Sequence, residues 1–207
     1  MAPILGMHMV KQRMQKIGDL RLTANRVADD MRLTEGFYYL LFDMVAPLIR
    51  VKPIKNNLES LLVYSGWSLD ISYIVTLYKI FDKEQLSLPY FITQITLLSD
   101  ESKTLMKDIE EYNKFIKNAN GYLVKIKQIE TKLNPMRNTF RAHNYPNRKN
   151  IPTLKWIQTK EWLRWGEDIF NEALISVGFT PWAYFLEDGI KDEREFLFNK
   201  IKKVAPS

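Results

Sequence analysis

An all-α fold is predicted for this 207-residue chain by three observations. Apolar residues recur at steps of three and four, the period of a helix face, and alternation of the kind a half-buried strand needs is missing. Glycine is scarce, at 8 residues, so turn signals are too few for a series of short strands. Hydrophobic residues make up 46% of the chain, enough to bury a core without staples, and residues 1–207 are expected to form one domain.

The first helix is predicted from about His8 to Met31 and the second from about Thr34 to Arg50, where Pro47 either kinks or ends it. Val51-Lys52-Pro53 is the break. A third helix, about Asn56 to Phe81, carries Leu58, Leu61, Leu62, Leu69, Ile71, Ile74, Val75, Leu77 and Tyr78. It is apolar around much of its circumference, which marks a central helix. Ser87 as a cap and Pro89 in the first turn open a short fourth helix ending near Leu98.

Ser99 and Asp100 offer the cap of a long helix whose seam is Leu105, Ile109, Tyr112, Ile116, Ala119, Leu123 and Ile126. Alternating steps of four and three describe a helix packed lengthwise on its neighbours. Asn134-Pro135 either kinks this helix or caps a new one. Asn144 to Pro152 is dense in Asn and Pro and reads as a loop. The next helix, about Leu154 to Val177, ends at Gly178 and shows Trp162, Trp165, Ile169, Ala173 and Val177 on one face. With Trp156, these tryptophans are either core anchors, the commoner role at helical spacing, or a stacking platform for bases. A last helical region follows Thr180-Pro181 and reaches about Lys203.

The chain has no cysteine, which excludes disulfides, thiolate zinc sites, iron-sulfur clusters and a cysteine nucleophile. The first residues lack the charge and apolar pattern of a secretory signal, and no apolar run approaches the roughly 18 to 20 residues that cross a bilayer. A soluble, cytoplasmic protein without a membrane partner is expected. The net charge of +6 is unevenly spread. Residues 131–160 hold Lys132, Arg137, Arg141, Arg148, Lys149, Lys155 and Lys160 and no acid, so this window carries +7 and the remainder is close to neutral. A local basic stripe suits phosphate binding, with Arg141, Arg148 and Lys149 as candidate RNA contacts; the plainer reading is a solvated loop and helix end.

Phosphate loops, HExxH and GxSxG are absent, and His8 and His143 are the only histidines. The segment Met136-Arg-Asn-Thr-Phe-Arg-Ala-His143 sets arginine, asparagine and histidine together at a helix end. A neutral imidazole can take a proton from a ribose 2′-hydroxyl while a guanidinium stabilises charge growing on phosphorus, with neither metal nor cofactor. Residue types alone equally describe a histidine interacting with a helix dipole, flanked by surface arginines. On a regular helix Arg137 and His143 stand about 120° apart, whereas Arg141 shares the face of Arg137.

Arg137-Asn-Thr-Phe-Arg-Ala-His143 resembles the Arg, polar residue, four residues, His signature of HEPN domains. Ile74-Val-Thr-Leu-Tyr-Lys-Ile-Phe-Asp82-Lys83, followed by Leu86-Ser87-Leu88, is similar to a region of the abortive-infection HEPN-like subgroup. The two landmarks cover roughly residues 35–175. The resemblance implies an up-and-down antiparallel helical bundle with extra C-terminal helices, paired as a homodimer around a shared cleft. It further implies a metal-independent endoribonuclease of phage defence or toxin-antitoxin systems, with an antitoxin or nucleotidyltransferase as a further partner. By the resemblance His143 is the acid/base, Arg137 the phosphate or transition-state stabiliser and Asn138 their polar support. Asn138 stands where the subgroup often has Asp. The alternative is a helical dimerisation or nucleotide- or protein-binding module without chemistry, since fold does not dictate function.

Overall fold

The computed structural model describes residues 2–45, 57–98, 108–141 and 156–182, with side chains described over 15–42, 64–98, 108–138 and 157–182. Among the described residues all regular structure is helical: α1 (Ala2–Tyr39), a π-helical segment (Leu40–Val45), α2 (Asn57–Phe81), α3 (Leu88–Thr96), α4 (Ile109–Arg141) and α5 (Trp156–Ser176). Two compact units can be distinguished, one made of the described residues of Met1–Met31 and Leu77–Trp182, the other of the described residues of Arg32–Thr76.

In the first unit α3, α4 and α5 pack on one another. α1 contributes Leu20, Thr23, Ala24, Val27 and Met31, all buried, each three or four residues from another of the set, so one stripe faces the core. The Thr23 hydroxyl donates to Gln94 Oε1 of α3 at 3.0 Å, which satisfies a fully buried polar group. α1 continues through 32–33, where two helices are expected from sequence, because no Gly or Pro interrupts its apolar stripe there and Thr34 is buried within it. In the second unit Tyr38 lies against Phe42 and Tyr73 with ring centroids 4.6 and 5.6 Å apart. The expected Pro47 break, like the helical region beyond Trp182, lies outside the described residues.

α2 has the predicted limits to within one residue, and its last turns bury Tyr73, Ile74, Leu77, Ile80 and Phe81, whereas Tyr64 and Trp67 nearer its start are exposed. Ser87 caps α3, its Oγ accepting from Tyr90 N at 3.4 Å with Pro89 in the first turn. The intervening turn holds Leu86 at φ 66°, a left-handed conformation that a leucine rarely adopts.

α4 is capped by Asp108, whose Oδ1 accepts from Glu110 N at 2.9 Å and Glu111 N at 3.1 Å. The expected cap at Ser99-Asp100 falls outside the described residues. The buried seam is Tyr112, Phe115, Ala119, Ile126, Ile129, Leu133 and Met136. Ile109, expected in that seam, is 48% exposed, while Ile116 and Leu123 sit half-buried at its edge. The buried series runs three then four residues from Tyr112, and Phe115 displaces Ile116 from the centre. α4 also passes through Pro135 to Arg141. Asn134 and Pro135 lie on the exposed face, where water can satisfy the carbonyl that proline leaves without an N–H donor.

α5 ends as expected at Gly178, at φ 73°, with Phe179 N donating to Leu174 O at 2.9 Å in the six-to-one bond of a Schellman turn. Tyr122 OH donates to Glu172 Oε2 at 2.6 Å and ties α4 to α5.

Candidate functional site

Three elements converge where the last turn of α2 and the turn after it meet the second half of α4. α2 ends in Leu77, Tyr78, Ile80 and Phe81, all buried, and this packing leaves the Tyr78 ring fixed with 4% of its surface exposed. The guanidinium of Arg137 lies over that ring, 4.2 Å from its centroid. Such a stack draws the cation to the negative face of the ring. The phenol at the other end donates to Asp82 Oδ1 at 3.3 Å, and Asp82 is itself buried.

A second acid stands near. Glu130, two turns before Arg137 on α4, is buried and accepts from Lys127 Nζ at 2.6 Å. Burial, then the charges of Asp82 and Glu130 opposed by Arg137, hold the Tyr78 hydroxyl above its ordinary value. Lys127 is likewise raised, first by its hydrogen bond to Glu130, with further contributions from Tyr78 and Asp82. The Arg137, Tyr78, Asp82, Glu130 and Lys127 side chains thus feel one another as a single electrostatic group inside the first unit.

Of the residues singled out by sequence, Arg137 is half-buried in this group and Asn138, next to it, is exposed. Arg141 is in the final turn of α4; its side chain lies outside the described residues, as do His143, Arg148 and Lys149 entirely. The two landmarks quoted from the sequence, the end of α2 and the arginine of α4, meet at Tyr78 and Arg137. Tyr78 and Asp82 were legible only as a core residue and as part of a motif. Glu130 and Lys127 escaped notice because acids and bases spaced by three on a helix usually form a solvated surface pair.

Lys132, from the basic window, lies 5.7 Å from the Trp162 ring centroid. Trp162 is buried, and Trp165 stacks on Phe81 with centroids 6.4 Å apart while Lys125 sits 4.1 Å above it. Trp162 is therefore a core anchor, while Trp165 is half-buried between Phe81 and Lys125. The Trp156 side chain is outside the described residues. Among the described residues no cluster of three or more His, Cys, Asp or Glu is placed to hold a metal ion, and no helix is long and apolar enough to cross a membrane.

No family model, curated protein or solved structure matches the chain.

Proposed function

We propose that the chain is a metal-independent endoribonuclease of HEPN type that acts as a homodimer. The observation supporting this reading is Arg137 held at one edge of a charged group, at the head of a window carrying +7. An arginine fixed on a ring is pre-organised, so little freedom is lost when its outer N–H groups meet a phosphate. In this reading His143 takes the proton from a ribose 2′-hydroxyl, O2′ attacks phosphorus as the bond to the 5′-oxygen breaks, and the imidazolium so formed gives a proton to the departing 5′-oxygen. The products are a 2′,3′-cyclic phosphate and a 5′-hydroxyl. Asn138 orients the pair, and Arg141, Arg148 and Lys149 bind the flanking phosphates. An antitoxin or a nucleotidyltransferase would then act as the regulating partner, in phage defence or a toxin-antitoxin system.

One observation favours a second reading. Arg137 is already engaged by Tyr78, which is also what a packing residue of a non-catalytic dimerisation or nucleotide- or protein-binding module would do.

Incubation of the purified protein with mixed single-stranded RNA in EDTA, beside His143→Ala, separates the two. Cleavage by the wild type alone, with cyclic-phosphate ends, is expected. Intact RNA in both reactions favours the module, and equal cutting by both proteins excludes His143 as the acid/base.

A further inference from the structure

The end of α2, α3 and the middle of α4 enclose an open groove of about 360 Å³, near the lower end of the range of roughly 300 to 1,000 Å³ typical of small-molecule sites. Its apolar wall includes Tyr90, Leu123 and Ile126, and its polar edge is Lys83, Lys127 and Glu130. We propose that this groove binds a guanine base of single-stranded RNA, with Glu130 reading the base and Lys83 facing its phosphate.

Glu130 carries the recognition. Its side chain is 8% exposed, and Lys127 donates to Oε2 at 2.6 Å. Among the described residues no donor reaches its Oε1. A carboxylate carries two oxygens and about four acceptor sites, so one ammonium leaves most of that capacity unused at the groove edge. Oε1 is not among the buried oxygens that lack a partner, so it meets solvent at the groove, and a ligand that brings adjacent N–H groups exchanges that water for direct charge-assisted bonds.

Guanine is the one common base whose pairing edge sets two such donors side by side, N1–H and the 2-amino group. Adenine and cytosine oppose the carboxylate with one amino group and one ring lone pair, and uracil places a single N–H between two carbonyls. Every base has a flat face for the Tyr90 and Ile126 wall, so stacking supplies affinity and Glu130 supplies the choice. Lys83 is exposed at the rim and offers a point charge to a phosphate.

The proposal rests on, and sharpens, the ribonuclease reading. Seven residues on a helix return to within about 20° of the same direction. Glu130 and Arg137 therefore share a stripe of α4, and a strand whose guanine fills the groove continues towards Arg137. Cutting beside guanine follows.

Calorimetric titration of the full chain with guanosine 3′-monophosphate and adenosine 3′-monophosphate tests it. The wild type is expected to bind the guanosine nucleotide roughly tenfold or more tightly than its counterpart. Glu130→Gln, which keeps shape but replaces one acceptor oxygen by an amino group, should bring the ratio near one. Thr93 is an exposed residue lining the groove. Thr93→Phe fills the space from outside the core and should abolish binding of both nucleotides with the melting curve unchanged. Equal affinities in the wild type, absence of binding, a preference that survives Glu130→Gln or a Thr93→Phe protein that binds normally would each overturn the assignment. Selective nucleotide binding without RNA cutting keeps the groove and removes the nuclease reading; RNA cutting with no nucleotide preference does the reverse.

Discussion

The Arg137 guanidinium is 4.2 Å from the centroid of the Tyr78 ring, and the same tyrosine donates its hydroxyl to Asp82 at 3.3 Å. One aromatic side chain thus joins a cation on α4 to a buried acid beyond the end of α2. Arg137→Ala should therefore lower stability by about 1 kcal/mol, the usual range of a partly shielded cation–π contact. Arg137→Lys recovers the charge but not the flat stack, and should fall between the two. Tyr78→Phe keeps the ring while removing the donor to Asp82, at a cost of about 1 kcal/mol. Urea unfolding checks all three. In the ribonuclease reading Arg137→Ala also loses RNA cutting whereas Tyr78→Phe retains it, so activity and stability separate.

Asp70 makes a pH prediction. Burial pushes its carboxyl up to about 6 from an ordinary 3.8, and its Oδ1 is buried without a hydrogen-bond partner among the described residues. A folded value above the unfolded one means that the native state favours the protonated acid. The stabilisation is full below about pH 3.8 and is lost as pH rises through about 6. Two units correspond to at most about 3 kcal/mol, which solvent at the partly open site reduces to about 1–2 kcal/mol. Asp30, raised chiefly by burial against the pull of Arg26 and Lys79, adds a slope of the same sign. Denaturant unfolding between pH 4 and 7 should show the decline, and Asp70→Asn should flatten most of it.

A tight approach lies at Gly166. A Cβ there would meet Phe81 Cζ at 3.0 Å and Cε1 at 3.3 Å, with Met31 Cε at 3.8 Å. Phe81 and Met31 are fully buried and Phe81 is stacked on Trp165, so the ring has little room to yield. Helix propensity would favour Gly166→Ala by up to about 1 kcal/mol. Overpacking costs typically 1–3 kcal/mol and should win, giving a net loss of about 1 kcal/mol in a thermal melt.

These positions show what periodicity conveys and what it does not. The helical class, the limits of α2, the Ser87 cap and the Gly178 stop all rest on local chemistry, and residue order displays local chemistry directly. The continuation of α1 past Met31 and of α4 through Pro135 depends on burial of Thr34 and on which side of α4 faces water, both tertiary facts. The seam of α4 was half legible: Tyr112, Ala119 and Ile126 are buried as expected, but the choice between Phe115 and Ile116 needs the partner surface. At the site, Arg137 was visible as a basic residue in a motif. Tyr78 and Asp82 were visible only as a core residue and as part of a landmark; that the Tyr78 ring meets Arg137 was not, because 58 residues of intervening chain have to fold before these groups meet.

Asp108 gives a test of the observed start of α4. It is exposed and accepts from two orphan N–H groups, so among the described residues its side chain acts as a cap. Asp108→Ala should cost about 1 kcal/mol, and Asp108→Asn only a few tenths, since asparagine caps about as well. An alanine variant with unchanged stability in chemical denaturation would place the effective cap elsewhere.

The basic window sets the last expectation, the salt dependence of RNA binding. Of its seven cations, Lys132 leans on Trp162, whereas Arg137 in the ribonuclease reading meets phosphate with the outer N–H groups of its stacked guanidinium. Contact of an ammonium with a ring does not remove charge, but it withholds the side chain from full engagement with phosphate. At most six cations per subunit then release counterions, and for single strands the slope of log K against log salt should be no steeper than roughly −4.2. Replacing Arg148 and Lys149 by Gln removes two contacts and should flatten the slope by roughly 1.4. Fluorescence anisotropy on labelled RNA from 50 to 300 mM salt (roughly the range over which such slopes are read) measures both numbers. A slope that ignores the double substitution would move the phosphate path away from residues 144–152, and with it the reason for counting Arg148 and Lys149 as RNA contacts.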